Sequence, residues 1–205
     1  LWLSDTLPRA ATHIMHRSHA RAEEITLDRT RALEQFLASV EKRAFQIAKI
    51  AVRDADDALD IVQDAMLQLA RRYADRTSEE WKPLFYRILQ NRIRDYQRRR
   101  QVRNRVLAWW PGARDEDEPA EDPIDRIADG GPIPSELAKQ GEAMQTLEAA
   151  LADLPARQQE AFLLRTLEGL DVAETAAAMG CSEGSVKTHY SRAVHTLRAR
   201  LGDVW

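Results

Sequence analysis

Three sets of residues have types and spacings that could do chemistry. The first is Lys187, Thr188, Ser191 and Arg192, with Ser185 and His189 beside them, near the C-terminus. Lys and Arg neutralise phosphates or bond guanine edges, and Ser and Thr fit either role. The second is Arg87, Asn91, Arg94 and Arg98, at spacings of four, three and four, with Arg99 following and Trp81, Tyr86 and Tyr96 interleaved. Positive charge among aromatics suits unpaired nucleic acid, because phosphates are held while bases stack, at roughly 1–3 kcal/mol per base. The third is acidic. Asp57, Asp60 and Asp64, with Gln63, share one face of a helix whose other face carries Ile61 and Ala65. Such a face either solubilises the helix or docks a basic partner. A His-x-x-His-x-x-His run, His13, His16 and His19, has metal-like spacing but no acidic or Cys partner nearby, so it reads as tail rather than metal site. No nucleophile–base pair or metal-ligand set stands out, and an enzyme is not expected.

The elements that position these groups are helices. Leu33, Phe36, Leu37, Val40, Ala44, Ile47, Ala48 and Ala51 recur at three and four from about residue 28. A second helix carries Ala58, Ile61, Val62, Ala65, Leu69 and Tyr73. A third carries Trp81, Leu84, Phe85, Ile88, Leu89, Ile93 and Tyr96, with Pro83 expected in its first turn. Residues 111–134 hold five of the eight Pro, three of the eight Gly and eight acids, which reads as a self-repelling linker. Periodicity resumes near Leu137. Pro155 opens a helix that Gly169 ends, Asp171 to Glu174 is a capping-box-like start, and Gly180 and Ser182 mark a turn and an N-cap. The short helix, the turn and the longer helix to about Leu201 have helix-turn-helix spacing. Ala176 and Ala177 are expected to permit a close crossing, and Val186 to be the buried anchor. No alternating run suggests a strand. The expectation is an all-α protein: an extension at 1–27 with little order, a three- to four-helix domain at 28–107, an acidic linker at 108–138, and a helix-turn-helix domain at 139–205.

Composition sharpens this. The chain has 205 residues and a net charge of −3, which by itself argues against a nucleic-acid partner. By segment it does not. Residues 82–105 carry nine bases and one acid, residues 181–200 four bases and one acid, and residues 111–136 two bases and nine acids. A local field follows the segment rather than the total. The one Cys, Cys181, excludes an intrachain disulfide framework. No apolar run approaches a membrane span, and the first residues lack the apolar core of a secretion signal, so membrane insertion is not expected.

Asp57 to Leu67 (DALDIVQDAML) resembles the core-polymerase-binding motif of bacterial RNA polymerase sigma factors of the extracytoplasmic-function (ECF) group in the sigma-70 family. Leu84 to Asn91 (LFYRILQN), with Asp95, Arg98 and Arg99, resembles their promoter-melting helix. Leu154 to Gln158, Leu167 to Leu170, Gly184 to Thr188 and Arg192-Ala193 resemble their helix-turn-helix domain. The resemblance spans about residues 30–105 and 140–201. It implies a cytoplasmic, non-catalytic initiation factor without cofactor. Asp57, Asp60, Gln63 and Asp64 would bind core RNA polymerase. Trp81, Tyr86, Arg87, Asn91, Arg94, Arg98 and Arg99 would hold the melted −10 element. Ser185, Lys187, Thr188, His189, Ser191 and Arg192 would read the −35 duplex. An anti-sigma factor is the family's usual control. Four positions depart from the family pattern: Leu59 stands where an acid is usual, Leu84 where an aromatic often begins the melting helix, Ser185 where Thr is usual, and His189 where Arg is frequent. The other class of reading is a stand-alone helix-turn-helix regulator, against which the acidic face and the basic third helix both weigh. A further expectation is that the acidic connector folds back on the basic helix and masks it.

Overall fold

The computed structural model describes residues 9–109 and 135–202, with side chains from residues 27–105, 109 and 143–202. Among them all regular structure is helical. Helices α1 (Arg9–Val52), α2 (Ala55–Tyr73) and α3 (Ser78–Trp109) form a first unit. Helices α4 (Ser135–Ala152), α5 (Ala156–Phe162), α6 (Val172–Met179) and α7 (Glu183–Leu201) form a second. The acidic connector and its suggested masking role lie outside the described residues. So do the side chains of His13, His16 and His19.

Each helix of the first unit buries the stripe its period marks. Leu33, Val40, Ala44, Ile47 and Ala48 of α1 meet Ala58, Ile61, Val62, Ala65 and Leu69 of α2 and Phe85, Ile88, Leu89 and Ile93 of α3. Each large aliphatic or aromatic side chain removed from water there is worth roughly 1.5–3 kcal/mol. Phe36 adds ring contacts to Trp81 and Phe85, the latter edge-on at 6.2 Å.

The ends of these helices are specified locally. Asp54 caps α2, accepting from the Asp57 N–H at 2.9 Å. The Glu80 side chain accepts from the Thr77 N–H ahead of α3. Because α3 starts at Ser78, Pro83 lies inside the helix and not in its first turn. The cost is one lost hydrogen bond to the Glu79 carbonyl, close to the helix start. Helix α1 begins at Arg9, well ahead of the stretch its apolar period marks. Residues 9–27 are rich in Ala, Arg and Glu, which favour helix without any apolar stripe.

Between α1 and α2, Arg53 adopts φ +62°, in the left-handed region where glycine is usual. Its backbone N–H closes α1 on the Lys49 carbonyl at 2.8 Å.

The second unit follows its turn chemistry closely. Pro155 precedes α5, which runs on into a π-helical turn at Leu163–Leu167 that the sequence does not announce. The Leu170 N–H then reaches the Leu164 carbonyl at 3.0 Å, and Arg165 donates to the Leu170 carbonyl. Asp171 and Glu174 form a complete capping box. Gly180 ends α6 at φ +66°, and Ser182 caps α7. Val186 is buried as expected. Ala177 is exposed; Ala176 and Ala178 are the small residues that are buried, because the supporting face of α6 turns past position 177.

Asp171→Ala should lower stability by about 1 kcal/mol, the usual worth of an N-cap. Chemical denaturation of the full chain measures it, with the loss expected in the midpoint and an unchanged slope.

Candidate nucleic-acid interface

The helix-turn-helix presents its outer face as the sequence implies. Lys187, Thr188, Ser191 and Arg192 are exposed on α7, while Val186, Ala193 and Leu197 hold its inner face. The Thr188 hydroxyl donates to the Gly184 carbonyl at 2.9 Å, which fixes its rotamer and leaves its oxygen free to accept. Ser185 is half-buried and engaged with the cap residue, its Oγ 2.9 Å from Ser182 Oγ. His189 is half-buried as well. Of the six residues expected to read duplex, four are thus fully exposed on α7, and Glu183, His195, Arg198 and Arg200 are exposed on the same helix. Tyr190, which the sequence did not single out, stacks on Phe162 at 6.0 Å and lies under Arg165, so it ties α7 to α5. Cys181 sits half-buried in the turn, and burial pushes its thiol pKa up, which suits packing rather than reactivity.

The basic helix α3 divides into two parts. Arg87, Asn91, Arg98 and Arg99 are exposed. Arg98 pairs with Asp95 at 3.1 Å. Arg94 is half-buried. It donates to Asn91 Oδ1 at 2.6 Å, to the Gln90 carbonyl at 3.1 Å, and across to the Met179 carbonyl of α6 at 3.4 Å. Asn91 therefore bonds Arg94 on its own helix. The two aromatics proposed as base stackers are both interior here. Trp81 is 2% exposed, and its indole N–H donates to the Tyr73 carbonyl at 3.1 Å. Tyr86 is fully buried, edge-on to Phe85 at 5.2 Å. Neither offers a ring face to a base in this arrangement. Trp81 belongs to the apolar stripe of α3 and packs within the first unit, whereas periodicity could not reveal the burial of Tyr86, because α3 has a second buried face. Tyr86 and Gln90 lie on it, toward the second unit.

The acidic face of α2 also divides. Asp57 is half-buried and accepts from the Tyr96 hydroxyl at 2.5 Å. Burial, followed by that carboxylate, raises the Tyr96 pKa. Asp64 is exposed and lies 3.5 Å from Arg92. Asp60 and Gln63 are exposed and have no partner among the described residues; Leu59 and Leu67 flank them and are exposed too. The part of α2 open to a partner is therefore centred on Asp60 and Gln63. Further along α3, Gln97 and Arg100 donate to the Ala51 and Val52 carbonyls at 3.1 Å each, so two polar groups of the basic helix close the C-terminal end of α1. No cluster of His, Cys, Asp and Glu able to hold a metal occurs among the described residues. None of their helices is long and apolar enough to cross a membrane.

Tyr96→Phe should cost about 1–2 kcal/mol, since it removes a hydrogen bond to a charged, half-buried acceptor. Thermal denaturation of the full chain reads this. An unchanged midpoint would mean that solvent replaces the bond fully.

Comparison with known proteins agrees with this layout. Residues 33–103 match the family described as Sigma-70 region 2, and residues 144–197 the family described as Sigma-70, region 4. The ECF RNA polymerase sigma factor SigF of Caulobacter vibrioides is 30% identical over 146 residues, 71% of this chain and 71% of that protein. The ECF sigma factor SigM of Mycobacterium tuberculosis is 28% identical over 176 residues, 83% of this chain and 78% of that one. Among solved structures, the sigma factor RpoE from Bartonella quintana, determined in complex with the anti-sigma factor NepR, superposes with a TM-score of 0.59 at 24% identity, covering 84% of this chain and 98% of that one. CnrH, determined with the cytosolic domain of CnrY, gives 0.53 at 23%, covering 90% and 96%. Two regions in order, each falling on one of the helical units, place the chain in the sigma-70 family, among the ECF RNA polymerase sigma factors.

Proposed function

We propose that this protein is a non-catalytic transcription initiation factor, which joins core RNA polymerase in the cytoplasm and directs it to promoters through two separate DNA contacts. The observation that carries the DNA reading is α7: Lys187, Thr188, Ser191 and Arg192 stand exposed on one side, with Val186, Ala193 and Leu197 buried on the other. An α-helix so presented fits a major groove, and these residue types read base edges and phosphates there. The −35 element is assigned to this face as duplex. Ser185 and His189 support it from the half-buried flank.

The −10 element is assigned to α3. Arg87, Arg98 and Arg99 hold phosphates, and Asn91 with Arg94 takes an unpaired base. Capturing extruded bases offsets the few kcal/mol of lost stacking and so drives melting. Trp81 and Tyr86 act as the interior support of that helix. Polymerase docks on α2 through Asp60 and Gln63, with Asp64 beside them and Asp57 held by Tyr96. The exposed Leu59 and Leu67 add apolar area to a dock with fewer acids. As with the relative solved beside the anti-sigma factor NepR, an inhibitory protein partner is part of this proposal.

Run-off transcription with core polymerase and a promoter library tests the reading. The expected result is promoter-specific transcript with this chain and none without it. Asp60→Arg/Asp64→Arg should abolish co-purification of core polymerase while leaving duplex binding intact. Binding of polymerase unaffected by that reversal would favour a stand-alone regulator. Arg192→Ala should weaken −35 duplex binding by about 1–3 kcal/mol if its contact is bidentate. Unchanged transcription from the selected promoter would remove Arg192 from the reading face.

A further inference from the structure

The outward face of α7 continues past the residues assigned above to base reading. With about 3.6 residues per turn, Lys187, Thr188, Ser191, His195 and Arg198 fall within about 100° of the helix circumference. Val186, Ala193 and Leu197 are buried on the opposite side. His195 and Arg198 are exposed, and neither side chain has a hydrogen-bond or ion-pair partner among the described residues. The same holds for Lys187 and Arg192. Glu183, in the first turn, is the one acid in α7.

Arg198 and Arg200 both lie in the last turn, where the helix dipole favours cations. The dipole does not choose a side, and these two take different sides. Arg200 is about 160° round the helix from Arg198 and pairs with Asp153 at 3.1 Å. Asp153 also takes Arg53, and the two cations hold its carboxyl below the ordinary range. Arg200 is therefore committed to the fold. Arg198 is on the side of Lys187 and carries no such duty. His195 precedes the last turn, so the dipole does not account for it.

Length gives a physical reason for such a continuation. With 19 residues, α7 is about 28 Å long, whereas a major groove is about 12 Å wide. A recognition helix reads base edges with its N-terminal residues. Its C-terminal turns must then leave the groove across one of the strands that border it. Arg198 lies about 16 Å along the axis from Lys187 and on the same face, farther than the groove is wide.

We propose that His195 and Arg198 form a phosphate track, which holds the backbone strand beside the groove that Lys187 to Arg192 enter. The track deepens the duplex-reading role given above to α7 and rests on it. The Arg198 guanidinium can grip two phosphate oxygens at once. His195 donates a ring N–H, which it carries in either protonation state. Backbone contacts fix register and orientation but carry no base sequence. The two halves of α7 thus divide the work: the first turns choose the sequence, and the last turns set how the helix lies on it.

The test uses the full chain with Arg198→Gln, Arg198→Lys, His195→Ala and Arg200→Gln, each checked for helix content by circular dichroism. Fluorescence anisotropy over a range of salt reads affinity for promoter duplex and for random-sequence duplex. Arg198→Gln should make the slope of log affinity against log salt shallower by about 0.9, the value of one phosphate contact. It should weaken both duplexes by the same factor, so that their ratio is unchanged. Arg198→Lys should keep the slope. His195→Ala should weaken both duplexes roughly twofold to tenfold, the worth of an ordinary hydrogen bond, again at constant ratio. Arg200→Gln makes the same charge change on the side held by Asp153 and should leave the slope as it is. Ethylation of backbone phosphates should interfere with wild-type binding at a position where Arg198→Gln no longer responds. An unchanged slope in Arg198→Gln would overturn the track, as would an equal loss in Arg200→Gln, which would reduce the effect to net charge. A shifted ratio would make Arg198 a base reader and overturn the phosphate assignment. Absence of promoter-specific transcript from the wild-type chain would instead count against the proposed function, and the slope on random duplex would still decide the phosphate contact.

Discussion

Helix α3 must satisfy three environments at once, and the rest of the structure is arranged around that demand. One face carries Phe85, Ile88, Leu89 and Ile93 into the core of the first unit. A second carries Tyr86, Gln90 and Arg94 against the second unit. What is left, chiefly Arg87, Asn91, Arg98 and Arg99, faces solvent. A helix has room for two broad buried faces only if the remaining surface is narrow and strongly polar. Charge is therefore concentrated on a narrow strip. The same concentration produces the local excess of base on α3.

The polar groups of α3 do structural duty as well. Tyr96 holds Asp57, Arg92 reaches Asp64 and Gln68, and Gln97 and Arg100 close the end of α1. The acidic face of α2 is accordingly only partly available to a partner. Its inner acid is part of the link to α3, and its outer positions, Asp60 and Gln63, carry no such duty. The acidic face of α2 and the basic helix α3 are thus joined by direct hydrogen bonds. That coupling fixes their relative orientation.

Between the units the balance is different. Buried carboxylates and an arginine in a left-handed conformation add charge pairs to a hydrophobic cluster that runs through both units. Charge pairs that must be desolvated contribute little beyond what they cost, and they select one arrangement over others.

Local chemistry alone was sufficient for much of this molecule. Apolar residues at three and four mark α1, α2 and α3, and Asp171, Glu174, Gly180 and Ser182 mark the helix-turn-helix, because caps and turns depend on atoms within a few residues. The exposed face of α7 followed from the same spacing. The fate of Trp81 and Tyr86 did not, nor did the exposure of Ala177 or the bond of Tyr96 to Asp57. Aromatic residues beside arginines have the same spacing whether they stack on bases or pack inside, and the choice depends on what lies opposite. For Tyr86 that is Glu168, 82 positions away in a separate unit. Sequence periodicity records how each helix divides water from core, whereas only the tertiary structure decides which second surface a helix meets, because that depends on groups brought together by folding and not by proximity along the chain.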